Sequence, residues 1–77
     1  MSIAEQAKAV YENELRGFLE AEYRDQYVAI EPVSKEYFLG NTFFSAAMSA
    51  KTAYPDRTSF VVRIGHAAAF HLGASSS

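Results

Sequence analysis

The stretch YVAIEPVSKEYFLGNTFFSAAMSAKTAYPD, residues 27 to 56, contains a strand, a polar loop, a returning strand and a capped, alanine-rich helix. Along YVAIEPV, Val28 and Ile30 fall on one side of an extended chain and Tyr27, Ala29 and Glu31 on the other, because strand side chains alternate. Pro32 offers no ladder N–H, so this strand ends there or lies at an edge. The polar SKE at 34–36 has the length of a hairpin loop, and YFLG returns antiparallel to the first strand, giving a β-hairpin over 27–39. Gly40, Asn41 and Thr42 then form a structural turn. Gly40 is expected to supply a positive φ, Asn41 to turn the chain, and Thr42 to cap a helix over 42–54. Ser45, Ser49 and Thr52 make its polar side, and the extended preference of a residue before proline stops it near Tyr54.

Working outward, Ser2 and Glu5 fit a capping box at the start of one long amphipathic helix over 3–23. Its apolar side is expected to hold Ile3, Ala7, Val10, Tyr11, Leu15, Phe18 and Leu19, and Glu12–Arg16 and Glu20–Arg24 are favourable i,i+4 pairs. Gly17 costs such a helix about 1 kcal/mol, which suggests a close packing contact there. On the C-terminal side, SFVVRIG at 59–65 alternates Phe60, Val62 and Ile64 against Val61 and Arg63 and reads as a strand. AAAFHL at 67–72 can be strand or helix. The expectation adopted is a short fourth strand, making 59–72 a strand or hairpin, followed by a disordered tail at 73–77.

The order α-β-β-α-β-β predicts a single α+β domain over 1–77. It is a small antiparallel sheet of three to four strands with two helices on one face. The opposite face would then present Tyr27, Ala29, Glu31, Val61, Arg63 and His71 to a partner. The small residues Ala46, Ala50 and Ala53 form a stripe expected either to pack on the first helix near Gly17 or to dock a second subunit. The interface candidates are therefore Ala46, Ala50, Ala53, Tyr27, Val61, Arg63 and His71.

Composition limits the chemistry. A 77-residue chain supports one core, and with 49% apolar and 14% aromatic residues it has enough surface to bury. No cysteine is present, which removes disulfides, thiolate catalysis and Cys-ligated metals, so a partner is a natural source of extra stability. Seven basic and nine acidic residues, with no basic cluster, argue against direct nucleic-acid binding. The charged N-terminal segment does not resemble a secretory signal, and no run reaches the length of a membrane span, so a cytoplasmic location is expected.

LGNTFF could in principle hold a phosphate at a helix N-terminus, but it has one glycine, no following lysine and two phenylalanines. His66 and His71 would fall on opposite faces of a single strand, which disfavours zinc. No serine lies in a nucleophile-elbow setting. Glu14 and Glu22 fall within the apolar arc of the first helix, where an interface or a cation such as Arg63 for Glu22 would hold them. No catalytic residue, cofactor or metal ligand is assigned.

The residues YVAI, the Gly40–Thr42 helix start, the alanine-rich helix and VVRIG resemble, over roughly residues 15–72, the DUF5678-like family of small bacterial proteins of unknown function. That resemblance implies a short cytoplasmic protein without recognised catalytic residues. Residues 27–54, with Gly40, Asn41, Thr42, Ala46 and Ala47, also resemble HicB-type antitoxins. They depart from that pattern in the long leading helix, in Phe43-Phe44-Ser45, and in lacking a C-terminal DNA-binding extension. The functional expectation is a non-enzymatic protein-protein interaction or self-association module whose partner is a second copy, as a dimer, or another small protein. One alternative is an antitoxin-like inhibitor of a small basic toxin, engaged through Glu5, Glu12 and Glu20. Another is a small-ligand or metal-binding domain around His66, His71 and Arg63.

Overall fold

A computed structural model of the chain describes residues 2–66 and 71–72. Helix α1 runs without a break through Ile3–Val10, a π-helical turn at Tyr11–Leu15, and Arg16–Glu22. Strands β1 (Tyr27–Glu31) and β2 (Glu36–Gly40) form the hairpin, α2 spans Phe43–Ala53, and β3 is Phe60–Arg63. All pairings are antiparallel and β1 is central, with β2 on one side and β3 on the other. The chain is therefore α+β, in the order α-β-β-α-β.

Both expected caps are present. The Ser2 hydroxyl and the Glu5 carboxylate each accept the other's backbone N–H, both at 3.1 Å, and Thr42 and Ser45 repeat this box at the start of α2 at 3.0 and 3.2 Å. Each box satisfies two of the N–H groups that a helix start leaves unpaired.

Two cores lie on opposite faces of the sheet. On one face Ala7, Val10, Tyr11, Leu15 and Leu19 of α1 pack on Val28, Ile30, Val62 and Ile64. On the other, Ala46, Ala47 and Ala50 of α2 lie on Ala29 and Val61, flanked by Tyr27, Phe38 and Phe43. Each fully buried Val, Leu or Ile contributes about 1.5–3 kcal/mol, so the α1 layer supplies most of the apolar stabilisation. The α2 layer, built from alanines, brings helix and sheet backbones close together.

The sheet therefore lies between its helices, which are not on one face as expected. The physical reason is that β1 and β3 are apolar on both sides, as strands covered on both faces are. Ala29 and Val61, read as an open face, are the floor for the alanines of α2. Among the described residues the expected short fourth strand is reduced to two residues. The pairing described beyond β3 is His71–Leu72, antiparallel and matched to Val61 and Phe60. The expectations for 67–70 and for a tail at 73–77 fall outside the described residues.

Further corrections concern α1 and Gly40. A Cβ on Gly17 would meet nothing within 4 Å, so no close contact requires glycine there. Ile3 and Phe18 are exposed, the latter with its ring against Tyr23 at 5.9 Å. Gly40 does not need a positive φ, which among the described glycines belongs to Gly65 alone. A Cβ at Gly40 would collide with the Ser45 hydroxyl and lie 2.5 Å from the Ala46 nitrogen, so close approach of α2 to β2 is what requires glycine.

Candidate functional site

Strand β2 forms one edge of the sheet, and hydrogen-bond parity fixes which of its backbone groups are free. The Ile64 amide donates to the Gln26 carbonyl at 2.8 Å, so Gln26 and Ile64 are a bonded pair and Val28 and Ile30 direct their polar groups toward β3. Tyr27, Ala29 and Glu31 then bond to Gly40, Phe38 and Glu36. The N–H and C=O groups of Tyr37 and Leu39 consequently point away from the sheet. Edges of this kind are normally blunted by lysine, proline, a bulge or a covering element. The sequence of β2, Glu-Tyr-Phe-Leu-Gly, contains no lysine or proline, and its register against β1 is continuous. Its one charge, Glu36, accepts a hydrogen bond from the Tyr54 hydroxyl at 2.6 Å.

The hairpin that presents β2 is held by a buried acid. The Glu31 side chain, only 2% exposed, accepts the Val33 amide at 3.0 Å, the Ser34 amide at 2.8 Å and the Arg57 guanidinium at 3.0 Å. Burial pushes its carboxyl upward, and the donors from Ser34, Val33 and Arg57 outweigh that, holding the pKa below its ordinary value. Arg57 also lies over the Tyr54 ring at 5.1 Å, and Tyr54 meets Phe38 edge-on. The hairpin loop, α2 and the turn after it therefore form one support for the edge strand.

A second region is a charged cleft of about 350 Å³ lined by Tyr11, Glu12, Arg16, Glu20, Arg24, Gly65 and His66. The π turn places Tyr11 at its base. Burial raises the Tyr11 pKa, while the Gly65 amide hydrogen-bonds to the phenol and opposes that rise; the hydroxyl also donates to Glu20 at 3.4 Å. Arg16 donates to Glu12 at 2.7 Å and to Glu20 at 3.1 Å, and Arg24 reaches the Gly65 carbonyl at 3.5 Å. At the cleft mouth Asp25, at φ 75°, faces His66 across 2.6 Å, and this hydrogen bond lowers the Asp25 pKa. The groups in this cleft are partnered with one another, and its lining contains no serine, threonine or cysteine. Among the described residues no group of three histidines or acids could hold a metal ion.

The residues expected to form an interface do not come together on one open surface. Ala46 and Ala50 are buried between α2 and the sheet together with Val61, Tyr27 meets Phe43 edge-on and carries the Arg63 guanidinium over its ring, and only Ala53 of the alanine stripe is exposed. His71 pairs in register with Val61. The expected grouping of His66 with Arg63 is replaced by His66 with Asp25. Glu14 and Glu22 are exposed rather than held in the apolar arc; Glu14 pairs with Lys35 at 3.4 Å, and Glu22 has no ion-pair partner among the described residues. Asn41 and Thr42 remain structural turn residues. Of the acids proposed for charge complementarity, Glu12 and Glu20 are paired with Arg16.

The sequence reading did not single out Tyr37 and Leu39 as candidate positions, although the pairing of YVAI with YFLG leaves one outer strand whose alternate backbone groups must point outward. It also missed Asp25, which lies beside His66 because the β1–β3 register brings the two strand ends together. No helix of the described residues is long and apolar enough to cross a membrane. Comparisons with family models, with curated proteins and with solved structures return no match.

Proposed function

We propose that this chain is a non-enzymatic interaction module that binds protein by adding a strand to β2. The observation that carries this reading is the unblunted edge, where the backbone groups of Tyr37 and Leu39 point outward from a strand whose hairpin is fixed by Glu31. Strand addition draws its affinity from such main-chain groups and its selectivity from alternate side chains. The charged cleft supports the same division of labour, since its acids and bases bind one another and tie the end of α1 to the turn after β3.

The test is capture from the cells that encode the protein, at its native level, comparing the natural chain with a Tyr37→Pro variant. Proline there removes a donor that points outward and leaves the bonds to β1 in place. A partner, including a differently tagged copy, should be retained by the natural chain and lost by the variant. No partner, or one retained equally by both, refutes strand addition.

A further inference from the structure

We infer that the strand added to β2 is β2 of a second copy of this chain, running antiparallel about a twofold axis at Phe38. This rests on the strand-addition reading and names its partner. With the axis at Phe38, Tyr37 of one copy faces Leu39 of the other, and each of these two equivalent pairs exchanges both of its N–H···O=C bonds. All outward groups of the strand are then satisfied together. Other registers lose this match. An axis at Tyr37 sets Leu39 against Lys35, whose φ of 66° takes it out of extended geometry. An axis at Leu39 sets Tyr37 against Asn41, in the bend beyond the strand.

The side chains fit the same register. Tyr37 and Leu39 share the α1 side of the sheet, opposite Ile30 and Val28 in the ladder, so they form aromatic–aliphatic pairs across the junction. The two Phe38 side chains meet at a non-hydrogen-bonded position, where cross-strand side chains are closest. Glu36 lies opposite Gly40, so neither acid faces another.

The layer above β2 leaves room for this approach. Gly40 lies against Ser45 and Ala46, and Ser49 and Ala53 follow Ser45 at successive turns along one flank of α2. Ser45, Ser49 and Ala53 are exposed and small. The exposed small residues thus lie on that flank, while Ala46 and Ala50 stay within each subunit.

The test is sedimentation and light scattering of the pure full chain over a wide range of concentration. The natural chain should give twice the 8.5 kDa chain mass. Tyr37→Pro should weaken the dimer by about tenfold or more, with an unchanged circular dichroism spectrum. Tyr37→Lys, which leaves the backbone intact, should act in the same direction and serves if the proline variant does not fold. Phe44→Ser, at an exposed apolar residue away from the edge, should remain dimeric. A natural chain that is strictly monomeric, a dimer insensitive to both Tyr37 variants, or a dimer lost in Phe44→Ser overturns the inference. A monomeric pure chain that still captures another protein through Tyr37 overturns the second copy alone; capture insensitive to Tyr37→Pro overturns strand addition as well.

Discussion

Glu31→Gln should be the most damaging isosteric change in this chain. The carboxylate is buried and accepts three donors, from Val33, Ser34 and Arg57. The amide keeps one acceptor oxygen and turns an N–H₂ group toward the remaining donors. Hydrogen bonds to a charged group contribute about 1.5–3 kcal/mol each, and Arg57, being exposed, can turn to solvent. The expected loss is therefore about 3 kcal/mol, a large share of the roughly 4–12 kcal/mol open to a chain of this length. It should lower the melting temperature by roughly 12–24 °C. The assay is urea unfolding followed by circular dichroism, with the slope unchanged between the two proteins. The pH dependence has a definite sign. Because the folded pKa lies below the ordinary 4.5, this stabilisation is fully present above pH 4.5 and is lost as the pH falls through the folded value. The gap between natural and variant chains should close in acid. Arg57→Met should cost less in the Glu31→Gln background than alone. A Glu31→Gln stability within about 0.5 kcal/mol of the natural chain would refute the argument.

The other expectations can be checked on the same small domain. Gly17→Ala, at an exposed helix position with free space around it, should stabilise by about 1 kcal/mol, read as a higher melting temperature; a lower one contradicts the account. Gly40→Ala should destabilise by about 1–3 kcal/mol because α2 must move off β2, and a neutral result would show that this contact yields freely. NMR titration should find Asp25 below its ordinary value of 3.8 and rising toward it in His66→Ala, with the Asp25 contribution to stability present above that pH and lost as the pH falls; no movement would contradict the Asp25–His66 hydrogen bond.

Much of the fold is written in local signals. Ser2 with Glu5, Thr42 and the Tyr54–Pro55 boundary fixed both helix starts and the end of α2, since caps and proline act on adjacent backbone. Alternation likewise separated Val28 and Ile30 from Ala29. What alternation could not decide was which layer covers which face, because Ala29 and Val61 read equally well as a solvated face or as a floor for another alanine surface. The π turn was also hidden, although residues 7, 11, 15 and 19 recur every four positions and drift by about 40° per step on an ideal α-helix. One wider turn at Tyr11–Leu15 takes up that drift and keeps Leu19 in the core. The candidate site followed the same division. The Thr42 cap was legible from local sequence, whereas the reason for Gly40 is the close approach of α2, and the outward groups of Tyr37 and Leu39 depend on which strand lies outermost.

The central claim, that β2 is completed by a second copy, is tested most directly by amide hydrogen exchange at Tyr37 and Leu39 across a dilution series. These two amides should be protected like those of β1 when the chain is concentrated and should exchange freely on dilution, while the Phe38 amide, bonded within the subunit, stays protected throughout. Rapid exchange of Tyr37 and Leu39 at every concentration would contradict the account.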